Sequence, residues 1–440
     1  MDLVNSIKEQ KWIVWAAAVL FLAAMSLTWI YEQPILALIP FAFVAAAFIV
    51  QDVSVLYFLL FIFLPFSSEF QVVSGMVLDL PAEPLMILLL ALSLLWLIMN
   101  KKAWGHILLH PITLLLLFHL AWMLLCAIGS VDKMVSFKFM LAKGWYIAAF
   151  YLGSWFFIKN RQDLKKVFWC LYIPLLFTVV WVMARHAFTG FSFDTINEAV
   201  QPFYRNHVDY ASLLVLPYPL LWVAYHWYPR GNWKKWLIAA GILLIPIGIY
   251  FSYTRAAIGI LLLFPLIYLI LRLKLVKWAM VLSVAGVITA LLYFLPEKEY
   301  ISLAPNYERT IYHDEFGNLL EATYKMEDLS TMERLYRWVA GGHMLMDRPW
   351  MGSGPGTFYP TYKKYTVSSF QTYTSHNPEK SGVHNYYLMI ATEQGVIGLI
   401  IWLALLIVLL LFAERLYHSN PDDNSLKILV AGVFCMITGI

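Results

Sequence analysis

The run from His384 to Ala413, HNYYLMIATEQGVIGLIIWLALLIVLLLFA, decides the fold class. After its opening histidine, Glu393 is the only charged side chain in it. An α-helix rises about 1.5 Å per residue, so about 20 apolar residues cross a hydrocarbon core of about 30 Å. This run is long enough to do so, and it begins with polar residues at headgroup depth. Reading outward, comparable apolar blocks fall at 13–30, 34–50, 53–65, 83–99, 111–128, 144–158, 165–184, 210–226, 236–251, 256–271, 276–295 and 427–440. Across the 440 residues 61% are hydrophobic and 13% charged, against about 25% charged in an ordinary soluble chain. The pattern predicts an all-α integral membrane protein of about 12–14 transmembrane helices. It divides into a transmembrane bundle over 1–295, a large hydrophilic loop over 296–382 and C-terminal transmembrane helices over 383–440. The last block runs to Ile440 and reads as cut within a helix. The first lacks a small-x-small cleavage pattern, so it reads as a retained helix.

Other compositional signals narrow the field. Many of the 18 Trp and 26 Tyr flank the apolar blocks, as at Trp29, Tyr31, Trp227 and Tyr228, where amphipathic rings favour the headgroup region. Cys126, Cys170 and Cys435 lie inside apolar blocks, which excludes a disulfide framework or a thiolate metal centre. The net charge of +4 concerns topology and gives no ground for a nucleic-acid partner.

Orientation follows from the short loops. Lys101 and Lys102, Lys159 to Lys166, Arg230 to Lys235, Arg272 to Lys277, and Arg415 mark one side as cytoplasmic, with Glu32, Glu69, Asp79 and Glu83 on the other. The exception, 129–143 with Lys133, Lys138 and Lys143, reads as an amphipathic segment on the bilayer surface. The long loop, Arg205, Arg255 and His384 then share the outer side. Within the loop, Ser330-Thr331-Met332-Glu333 has a capping-box pattern, and Leu335, Tyr336, Val339 and Met346 recur at helical spacing. Asp347-Arg348-Pro349 is a stop signal, and Gly352-Ser353-Gly354-Pro355-Gly356 predicts a tight turn.

Three residues on that side carry chemistry. An imidazole at the membrane edge is neutral and basic near pH 7, which suits His384 to proton abstraction. Guanidinium forks match phosphate oxygens, and both Arg255, in Phe-Ser-Tyr-Thr-Arg, and Arg205, in Phe203-Tyr204-Arg205-Asn206-His207, sit where a lipid diphosphate places its charge. Weaker signals have plainer readings. Glu393 reads as a structural hydrogen bond at a helix junction, and His119 as a neutral histidine bonded between helices. His313-Asp314-Glu315 reads as solvated loop, and Asp422-Asp423 as a solvated turn.

Over roughly 200–415 the chain resembles the O-antigen ligase and polymerase family of membrane glycosyltransferases. His384-Asn385, nine residues, then Gly395 matches its His-[Asn/Ser]-x9-Gly motif. Residues 347–356 are similar to its glycine-rich turn, and Ser252-Tyr253-Thr254-Arg255 to its Ser/Thr-x-Ser-Arg stretch, with Thr254 in place of the commoner serine. Arg334 stands where many members carry an arginine. The resemblance implies an all-helical bundle in a bacterial cytoplasmic (inner) membrane with its active site facing the periplasm. It implies a glycan donor on undecaprenyl diphosphate and an acceptor that is a glycolipid (lipid A-core) or a glycan. His384 would be catalytic, Arg205 and Arg255 would bind the diphosphate, and Arg334 and Asn385 would support them. No metal or other cofactor is expected, and membrane lipids are the remaining partners.

Ligation to a lipopolysaccharide core is favoured; polymerisation of repeat units and transfer to protein use the same residues. A transporter is the competing reading from another class. Transporters concentrate ionisable groups and broken helices near the midplane, whereas here, His119 apart, the charges gather at the rim.

Overall fold

The structure, a computed structural model, describes residues 52–73, 76–99, 104–294, 300–301, 303–304, 329–372, 375–377, 380–420 and 422–439. The expectations for the blocks at 13–30 and 34–50, for Glu32, Lys101 and Lys102, for His313-Asp314-Glu315 and for the end at Ile440 lie outside those residues.

Every apolar block inside the described residues is a helix. Seven are long and apolar enough to cross a membrane: Ala82–Met99, Pro111–Ile128, Arg161–Ala187, His207–Tyr225, Trp233–Phe251, Arg255–Arg272 and Tyr386–Ser419. Ser54–Phe66, Val276–Ala290 and Asn424–Thr438 are shorter apolar helices. The starts are set locally. Asn160, Asn206, Asn232 and Asn385 each accept a backbone N–H of the first turn, satisfying donors the helix itself leaves unpaired. Pro111 opens its helix at the position where a missing N–H costs nothing.

Three elements depart from the sequence reading. Residues 133–157 form one uninterrupted helical run, Lys133–Tyr146 continuing through a π-turn at Ile147–Leu152 into Gly153–Phe157. The lysine-bearing stretch is therefore continuous with the apolar block that follows it, started by Asp132, which accepts from Val135 N, and not a separate segment. Ser68–Val73 and Met76–Leu80 pair as an antiparallel hairpin that no periodicity argument had anticipated. The loop helix, Leu329–Asp347, ends where the stop signal placed it, but Ser330 lies inside it and Glu333 takes no part in a capping box. Its buried face is Met332, Tyr336, Ala340 and Met344, while Met346 is exposed. Tyr336, Ala340 and Met344 share a small core with Phe358, Tyr362, Phe370 and Val383.

Helix directions alternate, so loops sort onto two ends. At one end Arg161 pairs with Asp423 at 2.6 Å, Lys165 lies over Trp227 and Tyr228, and Lys235 lies 4.3 Å from the centre of the Tyr225 ring. These are the loops the lysine and arginine count put on one side. Asp423 is therefore an ion-pair partner and not only a solvated turn. At the other end lie the hairpin, tied to the loop before His207 by Ser68 Oγ donating to Pro202 O, the starts of the helices at His207 and Arg255, and the loop helix.

Candidate active site

The glycine-rich turn and the break in the last long helix are built against each other. Gly395 has φ +71°, ψ −177°, and splits Tyr386–Ser419 into a short arm and a long arm. Amides freed by the break are taken up by the turn and returned: Val396 N donates to Pro349 O at 2.7 Å, Ser353 N to Thr392 O at 3.0 Å and Gly354 N to Glu393 O at 2.9 Å. The Glu393 carboxylate, 2% exposed, accepts from Gly356 N at 2.8 Å and Phe358 N at 3.0 Å. Gln394 is fixed from the neighbouring helix, its carbonyl by Trp122 Nε1 at 3.0 Å and its side-chain oxygen by His119 Nε2 at 2.9 Å. Both sequence readings hold here: Glu393 bonds a helix junction, and His119 bonds between helices.

This packing explains the motif. Gly352, Gly354, Gly356 and Gly395 all have positive φ, a region where a Cβ is strained. A Cβ on Gly352 would overlap the Glu393 backbone, and one on Gly395 the Trp350 backbone. On the opposite side of the turn, Ser130 and Ser136 bond to each other at 2.7 Å, and Ser136 Oγ donates to Pro355 O at 2.8 Å. The junction is thus gripped from three elements.

The short arm begins at His384. This residue has φ +52°, a left-handed conformation uncommon for a side chain of this size, and neighbouring contacts hold it there. Trp338 Nε1 donates to Val383 O at 2.9 Å, Arg337 reaches Gly382 O at 3.4 Å, and Asn385 accepts from Leu388 N at 3.0 Å. The residue is exposed at the surface, yet protein crowds the imidazole enough to disfavour its charge. Burial, followed by the positive fields of Arg337 and Arg334, holds it down to about 4, so it is neutral at pH 7.

Arg337 and Glu333 are charged residues near His384 that sequence reasoning missed. The pair is buried, with N···O 3.1 Å. Glu333 also accepts from Thr372 Oγ1 and Ser375 Oγ, both at Oε1, and Arg337 Nε is buried with no hydrogen-bond partner among the described residues. Their i, i+4 spacing was the available signal, but the capping-box reading of Glu333 obscured it.

The two other arginines have different surroundings. Arg255 is half-buried in the first turn of Arg255–Arg272. Cations are disfavoured there by the helix dipole and anions favoured, so the position suits an arginine that receives an anion. The preceding Tyr253 has φ +57°, with its hydroxyl donating to Phe191 O at 2.6 Å, and Thr254 Oγ1 reaches His207 O at 3.4 Å. That last contact brings the Arg255 turn beside the helix that follows Arg205. Arg205, 62% exposed, is held by Glu69 at 2.7 Å and Asp209 at 3.2 Å. Burial lowers its affinity for the proton, and Asp209 and Glu69 outweigh that and raise it. Asp79 nearby is raised by burial and by Glu69. The structure therefore groups Arg205 with Arg255's end of the bundle but surrounds it with carboxylates, and gives His384 the cationic neighbours Arg337 and Arg334.

Residues 239–403 match the family model described as O-antigen ligase. The match takes in Arg255, Arg334, His384, Asn385 and Gly395 and leaves out Arg205. Among curated proteins none matches the chain.

Proposed function

We propose, from the premise that residues 239–403 are an O-antigen ligase domain in a multi-pass membrane protein, that the chain is an inverting glycosyltransferase. It moves a glycan from undecaprenyl diphosphate to an acceptor sugar hydroxyl at the periplasmic face of the bacterial inner membrane, with ligation to a lipid A-core glycolipid as the favoured outcome. The observation that carries this reading is His384: an imidazole kept neutral, clamped through its preceding carbonyls, and flanked by two guanidinium groups.

In this mechanism His384 takes the proton of the acceptor hydroxyl as its oxygen attacks the anomeric carbon. The bond from that carbon to the diphosphate breaks, and its electron pair leaves on the diphosphate. Attack opposite the leaving group inverts the centre. Arg255, at a helix start, and Arg334 receive the growing negative charge, where fixed donors stabilise a transition state most. Asn385 fixes the turn behind the base. Arg205 joins them by exchanging Glu69 or Asp209 for the diphosphate. A base whose pKa lies near 4 is weak at pH 7; seating a dianion beside Arg334 and Arg337 cancels their field and strengthens it. The reaction so written asks for no metal ion. Polymerisation or transfer to protein would use the same groups with another acceptor.

The test is purified protein with undecaprenyl-diphosphate glycan and lipid A-core, with and without chelator. A general base contributes about 10²–10⁴ in rate, so His384→Ala should lose at least the lower figure. Wild-type transfer by His384→Ala would remove the assignment, and loss of activity with chelator would remove the metal-free mechanism.

A further inference from the structure

The bend at Gly395 encloses a groove. It brings the Tyr386 ring to 5.0 Å from the Trp402 ring, although the two are far apart along one helix. Beneath the short arm lies a cavity of about 320 Å³, within the size range that holds small ligands. Trp402, Leu405, Leu406 and Ile437 supply its apolar lining, and Lys143 and Tyr386 line it as well.

Lys143 is the informative residue. It lies in the helix that begins at Lys133, and it is half-buried. Its ammonium donates to Tyr386 OH at 3.0 Å and lies 5.7 Å from the Phe139 ring centre. Among the described residues no carboxylate pairs with it. Glu393 feels its field, but the Glu393 oxygens are engaged by the Gly356 and Phe358 amides. A half-buried ammonium with no carboxylate beside it is costly, and an anionic ligand would offset that cost. The neighbouring aromatic faces offset only part of that cost. Tyr386 OH, accepting from Lys143, keeps its own proton for a further acceptor. A cation and a hydroxyl donor lining an otherwise apolar trough are complementary to a phosphate carrying a hydrocarbon chain. The next-but-one residue before Tyr386 is His384, so a group attached to that phosphate comes to the base. Glycerophospholipids carry no glycosyl group there; a prenyl-linked sugar does.

We propose that this groove seats the prenyl chain of the lipid-linked donor, with Lys143 and Tyr386 contacting the prenyl-side phosphate of its diphosphate and the arginines left to the sugar-side phosphate. The proposal rests on the glycosyltransferase reading for the identity of the lipid and is independent of it for the site.

The experiment measures binding of undecaprenyl monophosphate to the full chain in phosphatidylcholine nanodiscs. Lys143→Met should weaken binding roughly ten- to hundredfold, as expected for loss of a charged hydrogen bond, and leave binding of undecaprenol unchanged. Lys143→Arg should retain most of the affinity. Leu406→Trp, which fills the trough, should weaken both lipids. Tyr386→Phe removes one hydroxyl and should give a smaller loss, so the test survives a Lys143 variant that does not fold. Unchanged affinity in Lys143→Met and Leu406→Trp would overturn the proposal. Equal displacement by phosphatidylglycerol would also overturn it, because the site would then be one for ordinary headgroups. Glycan transfer is assayed separately with His384→Ala, which should bind the lipid normally. Transfer that depends on His384 with lipid binding indifferent to Lys143 sinks the groove alone. Binding that depends on Lys143 without any transfer sinks the enzyme reading alone.

Discussion

Replacing Glu393 separates a junction held by hydrogen bonds from one held by packing. Its two carboxylate oxygens each accept one backbone amide, Gly356 N at 2.8 Å and Phe358 N at 3.0 Å, at a residue 2% exposed. In Glu393→Ala both amides are left in a buried site without an acceptor, at about 1–3 kcal/mol each, so about 2–6 kcal/mol in all before any cavity is counted. In Glu393→Gln one oxygen remains, but the new NH₂ faces the other amide, so that amide and the NH₂ itself lack acceptors, at about 1–3 kcal/mol each. Both variants should therefore lose stability, the alanine variant further by the cavity it opens. Denaturant unfolding of purified protein in detergent, followed by tryptophan fluorescence and resistance of the glycine-rich turn to proteolysis, reads both. Transfer should fall in the same order, because the junction sets where the short arm and His384 lie. No loss in either variant would show that these bonds do not hold the break.

Two further outcomes follow from the charges around the site. If Arg205 engages the diphosphate, Glu69→Gln should lower KM for the donor by removing a competing carboxylate, and Arg205→Ala should raise it; initial-rate measurements over donor concentration decide, and opposite signs would exclude Arg205. For the free enzyme, kcat/KM should fall only as pH drops through about 4, where His384 gains a proton. The double variant Glu333→Gln, Arg337→Gln, which removes the buried pair together and with it one positive field, should move that limb upward toward 6.5. The same depression has a stability consequence: the neutral-histidine contribution is complete above the unfolded value of about 6.5 and is lost as pH falls from there to about 4.

The amino-acid sequence determined the helices, because the length of an apolar run and its Asn or Pro start are local properties. Each block from 53–65 onward is a helix, and Glu393 and His119 were legible as bonded junction residues because polar groups inside an apolar run must find partners. His384, Arg255 and the glycine-rich turn could be singled out from motif and membrane depth. Tertiary structure decided which groups meet them. Arg205 with Glu69, Ser136 with Pro355, Glu333 with Thr372 and Ser375, and Lys143 with Tyr386 join residues distant in the chain, and such pairings leave no period to read. The hairpin at 68–80 escaped for the same reason, since two short strands carry little alternation. The physical reason is one of range: burial of apolar surface is written residue by residue along the chain, whereas an electrostatic neighbourhood exists only after the helices have packed.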